Sequence, residues 1–332
     1  MNMEKLSIVI PLYNKERNIE RTIDSVLRQT VADWTLYVVN DGSTDSGPAI
    51  VEAMEDHRIK LIHQENAGVS AARNTGIEAA GEGLVAFLDA DDFWDPPMLE
   101  EMRALREQFP EAGMYATGYR RINEHGKGYS ISVDPSGGER QLVPDYIRRS
   151  AYGNFVHTSS VMLTYEALNA IGGFPVGEKF GEDLCVWAKA SMSWPLACSA
   201  RICGNYYCDS QDVAPRHAIR YVRSPLIDFF AECLNSNSYG SQSELDFLLS
   251  IRARLWQYTG YLLRGNSTLS EWKLQPAFRQ YAPVLVKCLS FEPLSKLLGV
   301  LCGLHRRGLP SSKALRRGSC IEKGLQCLRI AP

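Results

Sequence analysis

Cysteine is missing from the first 184 residues; all nine cysteines lie at or after Cys185. A chain of 332 residues buries a core large enough to stand without disulfide staples, so these thiols read as reduced and structural. Cys198, Cys203 and Cys208 are evenly spaced, but the interval fits no familiar zinc arrangement. No stretch approaches the ~20 apolar residues of a membrane span. The apolar run Leu6 to Leu12 is short and broken by Pro11, which reads as a strand and not as a secretory leader. A surplus of one charge is also lacking. Thirty-six Lys and Arg stand against 38 Asp and Glu, a net charge of −2, which leaves no electrostatic footprint for nucleic acid. No internal repeat is visible, so a solenoid is excluded. What remains is a globular protein, expected in the cytoplasm, with an ordinary 45% apolar fraction.

Leu84-Val85-Ala86-Phe87-Leu88 runs directly into Asp89-Ala90-Asp91-Asp92, three carboxylates within four positions. The apolar run, preceded by Gly81-Glu82-Gly83, reads as a buried parallel strand. The acids then fall at the strand's carboxyl end, where open α/β sheets place ligands. Clustered carboxylates repel unless they are solvated, protonated or bridged by a cation. A hard ion such as Mg²⁺ or Mn²⁺, held by one or two carboxylates and a substrate diphosphate, satisfies them. A solvated loop whose Asp95 caps a helix starting near Pro96 is the plainer alternative.

The remaining sequence supplies the context. Leu6 to Leu12 is a first strand, followed by the Tyr13-Asn14-Lys15 turn and a helix with Ile19, Ile23, Val26 and Leu27 at helical spacing. Trp34 to Val39 is a second strand ending at Asn40-Asp41-Gly42-Ser43-Thr44-Asp45, which suits a turn capping the next helix. A third strand spans Ile59 to Ile62, and a small-residue helix from Ser70 to Ala80 stops at Gly81. Alternating apolar strands and helices predict a parallel sheet covered on both faces. Tyr13, Asp41 and Asp89 to Asp91 then converge at one sheet edge. Beyond them the pattern predicts a helix over 95–109 with Met98, Met102 and Leu105 inward, a strand over 114–117 and a hairpin over 119–140. A helix over 142–151, a strand over 159–163, a short helix over 165–171 and a helix opening at Glu182-Asp183 complete the pattern. Acids at a helix start complement its dipole, so capping accounts for Glu182 and Asp183 by itself.

From about residue 215 prolines punctuate helical stretches, which places a domain over 1–214 and a helical C-terminal region over 215–332. Its tail, 296–332, carries eight Lys and Arg against Glu322. With Leu297, Leu298, Val300, Leu301 and Leu304 interleaved, it suits an anionic membrane surface or a solvated basic tail with one docked helix.

The motifs Ser7-Ile8-Val9-Ile10-Pro11-Leu12-Tyr13-Asn14, Val39 to Asp45, Asn66 to Asn74, Phe87 to Asp92, Ile171-Gly172-Gly173-Phe174 and Gly181-Glu182-Asp183 occur in that order. Together they resemble the inverting nucleotide-sugar glycosyltransferases of family 2, over about residues 5–212. The resemblance implies the GT-A fold, an α/β Rossmann-like and mostly parallel central sheet with helices on both faces, here with a helical appendage. It implies a nucleotide-sugar donor, most commonly UDP-linked, and a saccharide or lipid-linked acceptor in cell-surface polysaccharide synthesis; the basic tail adds the expectation of the cytoplasmic face of the membrane. Pro11 and Tyr13 would wall the base pocket, Asp41 would bond the base and Arg73 would serve base and diphosphate. Asp89 would touch the ribose or a metal-bound water, and Asp91 would bind Mn²⁺ or Mg²⁺. Asp183 takes the general base position, with Glu182 orienting it or holding the acceptor. His157, Thr158 and Ser159 are placed on the acceptor side by their order along the chain.

Many relatives carry a metal-binding His where this chain has Tyr206-Tyr207-Cys208-Asp209-Ser210. Asp209 would substitute, with His217 the other candidate. Outside that family, Arg73 could cover a helix face, Tyr13 sit in the core and Asp41 cap a helix. A nucleotidyltransferase would need a glycine- and arginine-rich loop where Tyr13-Asn14-Lys15-Glu16 stands. A binding protein that kept the fold and lost catalysis is the other alternative, although the expected acids are all present.

Overall fold

The computed structural model describes residues 4–123, 125–131, 139–143, 145–150, 154–178, 181–208, 225–236 and 238. All fall within one compact unit, Met1–Tyr281. The boundary expected at 214/215, the tail 296–332, Asp209 and His217 lie outside the described residues.

The first half alternates as expected: β1 (Leu6–Leu12), α1 (Ile19–Leu27), β2 (Thr35–Asp41), α2 (Gly47–Glu52), β3 (Ile59–Gln64), α3 (Val69–Ala80) and β4 (Leu84–Phe87). Next come β5 (Phe93–Trp94), α4 (Met98–Gln108), β6 (Met114–Asn123), β7 (Gly128–Ile131), β8 (Arg140–Val143) and α5 (Tyr146–Ser150). A 3₁₀ turn at Thr158–Ser160 leads into β9 (Val161–Thr164), α6 (Tyr165–Ile171), α7 (Glu182–Ser191), β10 (Leu196–Cys208) and α8 (Pro225–Ser236). One sheet joins the ten strands in the order β3-β2-β1-β4-β9-β6-β10-β5, with β7 on β6 and β8 on β10. β3, β2, β1 and β4 are mutually parallel, whereas β9 runs antiparallel to both β4 and β6.

The two-residue period of β1 splits the core. Leu6, Ile8, Ile10 and Leu12 face Ile19, Ile23 and Val26 of α1, in one buried cluster with Met98, Met102 and Leu105 of α4. Val9 points the other way, against α3. A Cβ on Gly76 would lie 2.3 Å from a Val9 methyl, so only glycine lets the helix come this close to the strand. On that second face Phe87 meets Phe174 edge-on at 5.1 Å, and both rings contact Trp187 of α7. Leu27, expected at the apolar spacing of α1, is exposed at the helix end.

Other expectations change in detail. β4 ends at Phe87, and β6 runs on to Asn123 because β10 continues to pair with it. Residues 140–143 form a strand, not the start of a helix. They pair with the edge of β10, and Arg140 makes two bonds, of 2.7 and 2.9 Å, to the buried Glu101 carboxylate. Asp95 does not cap α4 with its side chain. Its carboxylate accepts bonds from Arg120 and Asn205, tying the end of α4 to β6 and β10.

Candidate active site

Because β1, β2 and β4 are parallel, their carboxyl ends lie side by side, with Leu12 opposite Asn40 and Val9 opposite Phe87. The loops after β1 and β2 clasp each other. Asn14, at a positive φ of 52° that asparagine tolerates, accepts the Thr44 N–H at 2.8 Å, and the Glu16 N–H donates to Asp45 at 2.8 Å. Tyr13 stands 48% exposed at this edge, which removes the core alternative for it. Asp41 is buried. Its carboxylate accepts from the Gln64 amide and from the Ala67 and Gly68 N–H groups, all at 2.8–2.9 Å. Asp41 therefore holds the loop leading into α3 and does not cap the following α2.

Arg73, on α3, is 3% exposed and forks between two acids. One guanidinium nitrogen is 2.8 Å from Asp89 and the other 3.0 Å from Glu182, with the Phe174 ring 5.0 Å from its carbon. Burial opposes its charge, but Asp89 and Glu182 outweigh it and raise its pKa. The same pairing holds Asp89 below the usual carboxylate range against its own burial. The next residue, Asn74, clamps the backbone of Phe174 from both sides at 2.8 Å. One turn of α3 thus fixes Asp89, the Gly172-Gly173-Phe174 loop and the start of α7.

The other acids divide by environment. Asp91 lies 2.8 Å from the Lys15 ammonium; burial, with Asp89 beside it, nevertheless raises its pKa. Asp92 is fully buried. Burial and its two neighbours push it well above the ordinary value, while Ser159 Oγ and the Tyr207 N–H, the latter at 2.8 Å, hydrogen-bond its two oxygens. His157 is driven down to about 4 by burial, so it is neutral near pH 7. Its Nδ1 accepts the Ser159 N–H at 3.2 Å, which assigns the ring proton to Nε2, and the ring stacks on Tyr206 at 4.3 Å.

Asp183 occupies the first turn of α7, where the helix dipole favours ionisation. Burial, with Glu182 alongside, wins over that and over Arg73, and pushes Asp183 up to about 6. Its Oδ1 accepts the Leu184 N–H at 2.7 Å.

Asp89, Asp92 and His157 bring ligand atoms within 4.8 Å of one another, but the His157 Nδ1 and both Asp92 oxygens already accept hydrogen bonds, so a divalent cation here would draw first on Asp89. Two positions along from Asp89, Asp91 supplies a further carboxylate, which faces a cation in Lys15. The residues therefore fit Mg²⁺ or Mn²⁺. The sequence reading brought Tyr13, Asp41 and Asp89 to Asp91 to one edge, and the family resemblance added Arg73, Glu182 and Asp183. It missed Lys15, Asn74 and Asp92, and it gave His157 only to the acceptor side. Asp92 stood in the same acidic run as a visible signal; for Lys15 and Asn74 nothing but adjacency to Asn14 and Arg73 marked them.

The sequence model of glycosyl transferase family 2 matches residues 7–157. The chain is 46% identical over 105 residues to the uncharacterised glycosyltransferase EpsJ of Bacillus subtilis, covering 31% of this chain and 30% of EpsJ. It is 45% identical over 121 residues to the Escherichia coli UDP-Glc:alpha-D-GlcNAc-diphosphoundecaprenol beta-1,3-glucosyltransferase WfgD, covering 36% of this chain and 47% of WfgD. In both, the match spans less than half of the relative's length. Among solved structures, residues 1–349 of S. aureus TarS with UDP-GlcNAc superpose with a TM-score of 0.64 at 20% identity, over 86% of this chain and 79% of that one. The same protein with UDP gives 0.63 at 21% identity, over 80% and 76%. Residues 7–157 thus match the model of glycosyl transferase family 2, and the fold is the GT-A fold.

Proposed function

We propose that the chain is an inverting glycosyltransferase that moves a sugar from a nucleoside-diphosphate donor, UDP-linked, to a hydroxyl of a saccharide or lipid-linked saccharide during cell-surface polysaccharide synthesis. The observation that carries this reading is the Arg73 fork, which sets the aspartates of the strand ends beside the acid pair opening α7. A donor's diphosphate and an acceptor's hydroxyl need these two groups of residues a short distance apart. The UDP and UDP-GlcNAc held by TarS support the donor class, and the diphosphoundecaprenol in the name of WfgD supports a lipid-linked acceptor.

In this reading Pro11 and Tyr13 wall the base pocket and Asp41 lies at its floor, holding the loop before α3 as well as bonding the base. Asp91 and Asp89 hold Mg²⁺ or Mn²⁺, since the oxygens of Asp92 are engaged by Ser159 and Tyr207. The ion, when bound, supplies Lewis-acid stabilisation of the departing diphosphate. Asp183 takes the acceptor's proton as that oxygen attacks the anomeric carbon from the face opposite the nucleotide, which inverts the centre. Glu182, paired with Arg73, keeps α7 in register for that transfer. Two of the five guanidinium N–H groups of Arg73 are spent on these acids and its buried Nε has no partner among the described residues, so Arg73 supports the two acids while keeping donors for the diphosphate. Among the described residues no helix is long and apolar enough to cross a membrane. A location at the cytoplasmic membrane face would rest on residues 296–332.

Thermal unfolding with UDP, GDP and dTDP, each with and without Mn²⁺, tests the donor. A ligand at ~100 times its dissociation constant adds about 2.7 kcal/mol. We expect a Mn²⁺-dependent rise with UDP that Asp91→Ala abolishes. A folded protein that responds to none of the nucleotides would favour the degenerate binding-protein reading instead.

A further inference from the structure

Lys15 follows the β1 loop, and its Nζ lies 2.8 Å from Asp91 Oδ2. Both side chains keep about a quarter of their exposure, 25% and 24%, so the pair sits at the mouth of the site and not under it. The ammonium also bears on Asp89. A second cation, Arg21, approaches Asp91 differently. It donates to the Asp91 backbone oxygen at 2.7 Å, with its guanidinium over the Tyr207 ring at 4.2 Å and the Phe93 ring at 4.9 Å. Arg21 is therefore anchored, whereas Lys15 carries a compact charge on a flexible four-carbon stem. A divalent ion on Asp91 would meet that ammonium at close range and repel it. A diphosphate at the same edge offers it new oxygens.

Resting on the metal–diphosphate reading above, we propose that Lys15 is the counter-ion of Asp91 in the nucleotide-free protein and hands its ammonium to the diphosphate when a divalent cation arrives. Cation and nucleotide then bind as a linked pair: each removes the obstacle to the other. By reciprocity UDP tightens Mn²⁺ by the same factor as Mn²⁺ tightens UDP. The protein holds neither a bare metal nor a bare nucleotide well, which keeps an incomplete site from forming.

Isothermal titration of Mn²⁺ into the full chain, with and without saturating UDP, tests this in the parent, Lys15→Met and Lys15→Arg. Lys15→Met is expected to bind Mn²⁺ without UDP up to about fivefold tighter, the factor set by losing one part-exposed ion pair. The enhancement of Mn²⁺ binding by UDP falls correspondingly. Lys15→Arg keeps a charge at the position and retains most of the coupling. Unchanged or weaker Mn²⁺ binding by Lys15→Met without UDP would overturn the proposal while leaving the metal site intact. No Mn²⁺ uptake by any of the three, even with UDP, would overturn the metal–diphosphate reading and this inference together.

Discussion

Asp183→Asn is expected to lower kcat by about 10²–10⁴, the usual contribution of a general base, with UDP affinity unchanged. The substitution keeps shape and the bond from the Leu184 N–H, and removes only the ability to take a proton. The groups facing Asp183 are Glu182, Arg73, Asp89 and Tyr119. Burial with Glu182 beside it holds the carboxyl near 6. It is neutral and idle below that pH and ionised above it, so kcat/KM in the parent rises as pH passes through about 6 and levels off beyond. In Asp183→Asn that limb disappears from the residual activity. Full activity in the variant, read by release of UDP from UDP-sugar with acceptor present, would move the base elsewhere, with Glu182 next to be tested.

Arg73→Met should cost about 3 kcal/mol of stability and lower Tm by roughly 5 °C. Removing one partner of a buried ion pair leaves the others uncompensated, and here one cation serves two acids. The cost stays near 3 kcal/mol and does not reach the ~5 kcal/mol of a fully buried pair, because the Asp89 side chain keeps 28% exposure and recruits water, whereas Glu182 keeps only 12%. Adding Glu182→Gln to Arg73→Met should therefore recover part of the loss. Differential scanning calorimetry of the two single variants and the double variant measures the coupling directly. A loss under 1 kcal/mol, or no coupling, would mean the fork is solvated in solution and does not brace α7.

The strand ends were legible because each combines a dense apolar run with an abrupt polar motif, as Leu84 to Phe87 does before Asp89. β10 was not, because its 13 residues include Ser199, Arg201, Gly204 and Asn205 and break period two. Those polar groups are acceptable in a strand only because partners far along the chain meet them: Asn205 bonds Asp95, and Arg201 reaches Glu101. β8 was hidden for the same reason, since it exists to cover the β10 edge. In the site, residue types and order pointed to Asp89, Asp91 and Asp183, but the partners did not follow. Arg73 and Glu182 are 109 positions apart, and Asn74 and Phe174 are 100 apart. A single sequence carries no trace of such pairings until the sheet order is known.

α3 touches nearly everything that matters at this edge. The two amides just before it rest on Asp41, Arg73 holds Asp89 and Glu182, Asn74 holds the Phe174 loop, and the Ala80 carbonyl accepts from Lys5. A helix so bound has no local opening that spares the rest, because fraying it releases both halves of the site at once. The donor side and the base side consequently belong to one cooperative unit. Heat or denaturant would remove catalysis and native structure in the same transition, with no folded but inactive plateau between them.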